Sequence, residues 1–118
     1  MKRSYTYETG IIYGMRCLNT NQLYIGSTKQ PLKTRHSKHI TDYRGWSGYK
    51  KNKPRNYRSS FEIIKNGNYE VFEIQKYCCN EKSELELLEA TYIHNNNCVN
   101  RIMPRREHTY ITDDKFKV

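Results

Sequence analysis

Two tyrosines in neighbouring strand-like segments are the first residues that could carry chemistry. Tyr13 lies in the run YTYETGIIYGMRC and Tyr24 in QLYIGS, both rich in the β-branched and aromatic residues typical of strands. The intervening LNTN has turn chemistry, so the segment predicts a β-hairpin. If this turn sets the register, Tyr13 lies opposite Gly26, Tyr24 lies opposite Met15, and both tyrosines project from one sheet face. Two ordinary strand tyrosines would show the same spacing.

Arg35 and His39 form a second candidate pair, one helical turn apart and therefore on one helix face. A guanidinium is a natural partner for phosphate, and a histidine can donate to a phosphate or move a proton. Charged residues at this spacing also occur on ordinary solvated helix faces. The pair alone therefore leaves both interpretations open.

Glu89 is a carboxylate at the border of an apolar helix stripe. It follows Leu88 and stands four residues after Leu85 and four before Ile93. A carboxylate in that position is expected either to be paired with a cation or to bind a ligand. The structural alternative is a boundary glutamate with a lysine or arginine partner.

Residues 44–58 (RGWSGYKKNKPRNYR) carry six positive side chains and no acidic one, interleaved with aromatic residues. This mixture predicts phosphate neutralisation together with stacking on sugars or bases. A flexible solvated loop is the alternative. The candidate nucleic-acid-binding residues are Lys50, Lys51, Lys53, Arg55, Arg58, Trp46 and Tyr49.

The elements that must position these residues follow in the order ββααβα. The hairpin strands span 5–17 and 22–27, and helical spacing predicts a first helix from Pro31 to about Tyr43. Its expected stripe is Leu32, His36, Ile40 and Tyr43.

The second half of the chain predicts a short helix, a third strand and a longer helix. Ser59 and Glu62 have capping-box spacing for the short helix, which Asn66-Gly67 would end. The strand runs from Tyr69 to Tyr77. Ser83 and Glu86 repeat the capping-box spacing before a stripe of Leu85, Leu88, Tyr92 and Ile93. We therefore expect an α+β fold, a small antiparallel three-stranded sheet flanked by helices, in a single domain (1–118) with a charged tail from about 104.

The composition of the chain indicates which class of partner it binds. The chain has 118 residues, a net charge of +9 and a pI near 9.4, which favours a polyanionic partner. Its pattern shows no basic amphipathic helix, lipidation signal or apolar run of membrane-spanning length, and no apolar stretch near Met1 reads as a signal peptide. We expect a soluble, intracellular protein that is not secreted and has no membrane partner. The sequence gives no indication of oligomeric state.

The spacing of the cysteines favours free thiols over a zinc site. Of Cys17, Cys78, Cys79 and Cys98, only the adjacent Cys78 and Cys79 are close in sequence, a spacing poorly suited to chelation. Reduced, partly buried thiols are the preferred interpretation. A mixed site using some of the four histidines stays an alternative.

Taken together, the motifs resemble the GIY-YIG nuclease superfamily. The first motif survives as Ile11-Ile12-Tyr13 and the second as Tyr24-Ile25-Gly26, with ten residues between the tyrosines. The downstream matches are Arg35, His39, Glu89 in LLEATYI and Asn100 in CVNRIMP. The resemblance spans about residues 10 to 104. Ile11 departs from it by replacing a glycine, with Gly10 one position early, which affects local backbone geometry more than the catalytic tyrosine.

The resemblance implies a metal-dependent DNA endonuclease with a one-metal mechanism. Glu89 would hold Mg²⁺, with Mn²⁺ as a substitute, and Arg35 would neutralise charge on the scissile phosphate. Tyr13 would orient or deprotonate the attacking water, with Tyr24 holding that arrangement. His39 would assist proton movement, and Asn100 would secure the site by hydrogen bonding.

The stretch FEIIKNGNYEVFEI and the ending CVNRIMP are similar to compact free-standing family members of large DNA viruses. Such a source would place the protein in the host cytoplasm or nucleus. Three alternatives stay open: a non-catalytic nucleic-acid-binding module with the same fold, a basic adaptor for an acidic protein, and an HNH-type nuclease. The last is suggested by His94 followed by three asparagines.

Overall fold

The computed structural model describes residues 10–49, 57–100 and 110–118, except for the side chains of 48 and 49. Its elements are β1 (Ile11–Cys17), β2 (Leu23–Thr28), α1 (Leu32–Arg44), α2 (Phe61–Ile64), β3 (Tyr69–Lys76) and α3 (Lys82–His94). A π-helical turn (Gly45–Tyr49) follows α1, and a 3₁₀ turn (Asp114–Phe116) lies near the C-terminus. The predicted α+β class and element order are confirmed. Within these residues, no helix is both long and apolar enough to span a membrane.

The sheet has the strand order β2-β1-β3, and both pairings are antiparallel. Tyr13 pairs with Gly26 and Met15 with Tyr24, which confirms the register predicted from the turn. Hydrogen bonds of 2.9 Å from the Cys17 and Asn21 amides close this turn. Asn21 takes a left-handed φ of 63°, a conformation that asparagine tolerates better than most residues.

Alternation along β1 divides the interior into two cores. Ile12 points toward the core that α3 covers with Leu85, Tyr92 and Ile93. Tyr13, Met15 and Cys17 point to the other core, which α1 and α2 cover. The candidate residues of β1 and α3 are therefore supplied from opposite faces of the sheet, and they can approach each other only around an edge.

Both predicted capping boxes are wrong in position. The N-cap of α2 is Ser60, and its hydroxyl does not cap the helix. The capping box of α3 is formed by Glu81 and Glu84, two residues before the predicted pair. The Glu84 carboxylate accepts the Glu81 amide at 3.3 Å, so a carboxylate at the N-cap replaces the expected serine. Helix α1 begins at Leu32, with Pro31 as its N-cap.

The C-terminal segment 110–118 is held against the end of α3. Asn95 bonds the Ile111 carbonyl (2.8 Å) and the Asp113 amide (2.9 Å) through its side chain. Asn96 bonds the Phe116 carbonyl (2.8 Å) and the Val118 amide (2.9 Å) in the same way. The asparagines that suggested an HNH motif thus hold the tail in place.

Candidate active site

The Tyr13 ring lies across the glycine of the neighbouring strand. A Cβ added to Gly26 would stand 2.5 Å from the Tyr13 hydroxyl oxygen, so only a glycine accommodates the ring there. Because β2 is an edge strand, the ring carries this hydroxyl toward the edge of the sheet. Tyr24 lies beside it on the same face, with ring centroids 6.3 Å apart.

Helix α1 supplies His39, which is only 1% exposed. Its Nε2 lies 2.6 Å from the Tyr13 hydroxyl, and its Nδ1 lies 2.9 Å from Oγ of Ser60, a fully buried residue. Burial, reinforced by the charge of Arg35, lowers the pKa of His39 from 6.5 to about 3. The imidazole is therefore neutral at physiological pH. We call these three residues the Tyr13–His39–Ser60 row.

Arg35, one turn before His39 on α1, acts on the Tyr13 hydroxyl. Burial raises the pKa of Tyr13, whereas the charge of Arg35 and a hydrogen bond from it lower that pKa. Burial also raises the pKa of Tyr24 well above its usual value. Both tyrosines are neutral in the free protein, and Arg35 is the cation placed to favour a Tyr13 anion.

Glu89 reaches the site from α3. It is partly buried, and its Oε1 accepts a hydrogen bond from the Ser27 hydroxyl on β2. Desolvation raises the pKa of Glu89 from 4.5 to about 7, although the Ser27 bond and the Arg35 charge act in the opposite direction. Among residues 10–49, 57–100 and 110–118, no cation lies within ion-pair distance of it. The alternative of a boundary glutamate paired with a lysine or arginine is therefore not supported by the described residues.

A desolvated carboxylate without a described cationic partner has the chemistry of a ligand for a hard divalent cation. In the described part of the chain, no group of three or more His, Cys, Asp or Glu side chains could form a protein-only cage. Glu89 therefore fits an ion that keeps most of its waters, as Mg²⁺ does.

Asn100 attaches to the outer edge of β2, between Tyr24 and Gly26. Its Oδ1 accepts the Ile25 amide at 3.1 Å, and its Nδ2 donates to the Ile25 carbonyl at 2.7 Å. Both backbone groups of Ile25 on that edge are thereby satisfied. The Asn100 side chain thus adds an anchor on the outer edge of the strand that carries the second motif.

A comparison of the sequence with protein-family models matches the GIY-YIG catalytic domain over residues 9–102. The chain belongs to the GIY-YIG family. Superfamily membership, inferred above from six residues and two tripeptides, is confirmed, and the family is one of nucleases. Neither the curated proteins nor the solved structures gave a match.

The GIY-YIG motif residues converge, whereas the candidate nucleic-acid-binding residues are only partly described. Trp46, 39% exposed, packs against Tyr57 and Phe61 with ring centroids 5.3 and 5.2 Å away. Arg58 is exposed and pairs with Asp42 at 3.5 Å. The remaining candidates lie outside the described residues, or have side chains outside them: Lys50, Lys51, Lys53, Arg55 and Tyr49.

Two serines at this GIY-YIG site were missed from the sequence. Ser27 immediately follows Tyr24-Ile25-Gly26, and strand alternation points it away from Tyr24, toward the α3 side. That alternation could have predicted the role of Ser27 if α3 had been expected to pack against β2. Ser60 gave only a misleading signal, because adjacent serines before a short helix suggest a cap.

Proposed function

We propose that this chain is a divalent-metal-dependent endonuclease that hydrolyses phosphodiester bonds in DNA. The observation that carries the proposal is the convergence of three functional groups at the β2 edge. Tyr13 lies across Gly26 from one face of β2, and Glu89 of α3 bonds Ser27 from the other face. The charges of Arg35 and Glu89 accordingly both influence the pKa of Tyr13. A base or orienting group, a phosphate-binding cation and a metal-binding carboxylate are the parts that one-metal phosphodiester hydrolysis needs.

Glu89 would hold Mg²⁺, or Mn²⁺ as a substitute, with Ser27 fixing the orientation of the carboxylate. When bound, the ion supplies electrostatic stabilisation to the leaving 3′ oxygen. Binding requires the ionised carboxylate. A pKa of about 7 therefore makes metal affinity fall as the pH drops below neutrality.

Arg35 binds the scissile phosphate and neutralises the charge that grows on its oxygens. Tyr13 accepts a proton from the attacking water as it passes its own hydroxyl proton to Nε2 of His39, 2.6 Å away. The oxygen of the water forms a bond to phosphorus as one of its O–H bonds breaks, and the bond between phosphorus and the 3′ oxygen breaks. The water proton forms a new O–H bond on Tyr13, the original Tyr13 proton ends on the imidazole, and the leaving 3′ oxygen takes a proton from solvent. This route avoids a free Tyr13 anion, whose formation burial opposes.

The positive imidazole formed in this step is disfavoured in the free protein, where the pKa of His39 is about 3. A bound phosphodiester brings negative charge beside the Tyr13–His39–Ser60 row, and this charge favours the imidazolium. Proton transfer is therefore coupled to the presence of substrate. Tyr24 holds the Tyr13 hydroxyl from the second motif, and Asn100 holds the strand that carries both Tyr24 and Gly26.

DNA as the substrate is supported by the charge of the chain. The net charge is +9, and α1 adds exposed Lys33 and Lys38 to the basic residues of 44–58. The only acidic residue of α1, Asp42, is mostly buried and paired with Arg58. The surface beside Arg35 is thus suited to a phosphate backbone.

Plasmid cleavage tests this proposal. Wild-type protein should nick or linearise plasmid with Mg²⁺ and should stop on addition of chelator. Glu89→Gln should be inactive yet still bind DNA, because the variant keeps the size of the side chain and removes the charge that binds the ion. Glu86→Gln, a partly buried glutamate on the same helix, is the matched control and should still cut. A folded, DNA-binding wild-type protein that never cuts would instead favour the non-catalytic module.

A further inference from the structure

We infer that Ser60 is a positioning residue of this site, whose Oγ accepts a hydrogen bond from Nδ1 of His39 and so holds the imidazole in the tautomer that can take the Tyr13 proton. The inference rests on the proposed function and names a part of the site that the family motifs do not include. It starts from the 2.9 Å contact between Ser60 Oγ and His39 Nδ1, two residues that are each 1% exposed or less.

The orientation of these hydrogen bonds follows from their lengths. The 2.6 Å separation between the Tyr13 hydroxyl and His39 Nε2 lies within the range of O–H donors and below that of N–H donors, whereas the 2.9 Å separation between His39 Nδ1 and Ser60 Oγ is typical of an N–H donor. The Tyr13 hydroxyl proton is then directed to His39 Nε2 at 2.6 Å. A neutral imidazole carries one ring proton, so that proton must be on Nδ1, where Ser60 Oγ is the acceptor.

The Ser60 hydroxyl is available for this task because α2 does not use it as a cap. Serine at an N-cap usually accepts a backbone amide of the first turn. Here the Glu62 amide bonds the Ser59 carbonyl at 3.2 Å, and the Ile63 amide bonds the Ser60 carbonyl at 3.0 Å. The preceding turn thus satisfies the amides that a capping side chain would otherwise serve.

The turn that carries Ser60 is fixed to α1 at two points. Arg58 pairs with Asp42, one turn after His39, and Ser60 contacts His39 itself. Both contacts join the same turn to the same helix, so the position of the hydroxyl relative to the imidazole is set by two elements packed on the core. A buried polar contact held in this way orients the ring more strictly than a surface contact would.

His36 offers an internal comparison. Its Nε2 contacts the Tyr69 hydroxyl at 2.8 Å, the same type of tyrosine–histidine pair on the same helix. Within residues 10–49, 57–100 and 110–118, no hydrogen bond to the other ring nitrogen of His36 accompanies it. The second contact distinguishes His39 from His36, and it is the feature expected of a ring that must keep one tautomer.

Nitrogen NMR of the ¹⁵N-labelled full chain tests the inference without any cleavage assay. Long-range ¹H–¹⁵N correlations distinguish protonated from unprotonated ring nitrogens. We expect wild-type His39 to carry its proton on Nδ1, and Ser60→Ala to move that proton to Nε2 or to mix the two tautomers. Ser59→Ala, in the same turn, should leave the His39 spectrum unchanged. A wild-type His39 protonated on Nε2, or an unchanged tautomer in Ser60→Ala, would overturn the inference.

Kinetics supply the second readout. Ser60→Ala should lower kcat by about 10-fold or more with little change in KM, because the buried Ser60 hydroxyl orients the His39 ring and does not contact the substrate. Ser60→Cys, which restores a weak acceptor, should recover part of this loss and also serves if the alanine variant fails to fold. An unchanged kcat in folded Ser60→Ala contradicts the inference. A wild-type protein with the Nδ1 proton but no cleavage would contradict only the proposed function.

Discussion

The hydroxyl of Tyr13 lies 2.6 Å from Nε2 of His39, although the two residues are 26 positions apart. Tyr13 is fixed by the strand register and by the absence of a side chain at Gly26, and His39 is fixed by the packing of α1. The contact therefore joins the first GIY-YIG motif to the helix that carries Arg35. Burial keeps both groups neutral in the free protein.

Tyr13→Phe removes the hydroxyl from this contact and should cut turnover by roughly 10²-fold or more. Tyr69→Phe is the matched control, because it removes the hydroxyl from the other tyrosine–histidine pair on α1 and should leave turnover near the wild-type value. Single-turnover cleavage of both folded variants measures the difference. Near-wild-type cleavage by Tyr13→Phe would assign the base role to metal-bound water or to His39.

His39 should make the protein sensitive to acid. Its folded pKa of about 3 lies below its ordinary 6.5, so between these values the unfolded chain binds a proton that the native state does not. The contribution to stability is complete above about 6.5 and is lost as the pH falls toward 3. The free energy of unfolding, measured with urea at several pH values across this range, should change less steeply with pH for His39→Gln than for wild type. Parallel slopes for wild type and His39→Gln would exclude a buried neutral imidazole.

The contribution of Glu89 to the free energy of unfolding should depend on pH in the opposite direction. Its folded pKa of about 7 lies above the ordinary 4.5, so its contribution is complete below 4.5 and is lost as the pH rises through 7. In chelator above neutrality, Glu89→Gln should therefore be more stable than wild type, by about 1–3 kcal/mol after allowance for its partial exposure. Glu86→Gln should lack this gain. A Glu89→Gln protein that is less stable at alkaline pH would indicate a structural ion pair.

Two strand glycines allow the position of Tyr13 to be tested separately from stability. A Cβ at Gly26 would meet the Tyr13 hydroxyl at 2.5 Å, and a Cβ at Gly14 would meet the Phe72 ring at 2.6 Å. Both alanine variants should be destabilised, because each forces a buried ring to move. Only Gly26→Ala should also lose cleavage per folded molecule. Equal residual activities in the two variants would mean that the Tyr13 ring position does not matter.

The basic residues of 44–58 should govern the salt dependence of DNA binding. Replacing Lys50, Lys51, Lys53 and Arg55 with glutamine should weaken affinity and reduce the slope of log Kd against log salt by up to about 0.9 for each phosphate that the loop no longer neutralises. Lys115→Gln with Lys117→Gln removes cations from the tail held against α3 and should change the slope little. An unchanged slope in the loop variant would place the DNA elsewhere.

Local patterns were sufficient for the hairpin and for the order of elements. A four-residue turn and a period of two placed Tyr13 opposite Gly26, and helical spacing placed Arg35 and His39 on one face. Glu89 was singled out because it borders an apolar stripe, and the structure finds it desolvated there. Each of these features depends on residues close in sequence, which is why the sequence was informative.

The roles of Ser27 and Ser60 could not be predicted from local patterns, because their hydrogen-bond partners are distant in sequence. Ser27 and Glu89 are 62 positions apart, and His39 and Ser60 are 21 positions apart. Whether a serine hydroxyl caps its own helix or bonds a buried ring depends on the packing of α1 against α2. The same holds for Trp46, whose ring packs on Phe61 in addition to any contact with DNA.

The bonds from Val99 and Asn100 to β2 also bear on self-association. Strand edges with free amides and carbonyls invite pairing with another chain, and β2 is an edge strand. The Val99 amide bonds the Leu23 carbonyl at 2.8 Å, and Asn100 occupies both outward groups of Ile25. Asn100 and Val99 thus also block this part of the edge from pairing with a foreign strand. Replacing Asn100 with alanine would leave the amide and carbonyl of Ile25 free to pair with another chain beside the site. Aggregation and loss of activity would then be expected in the same variant.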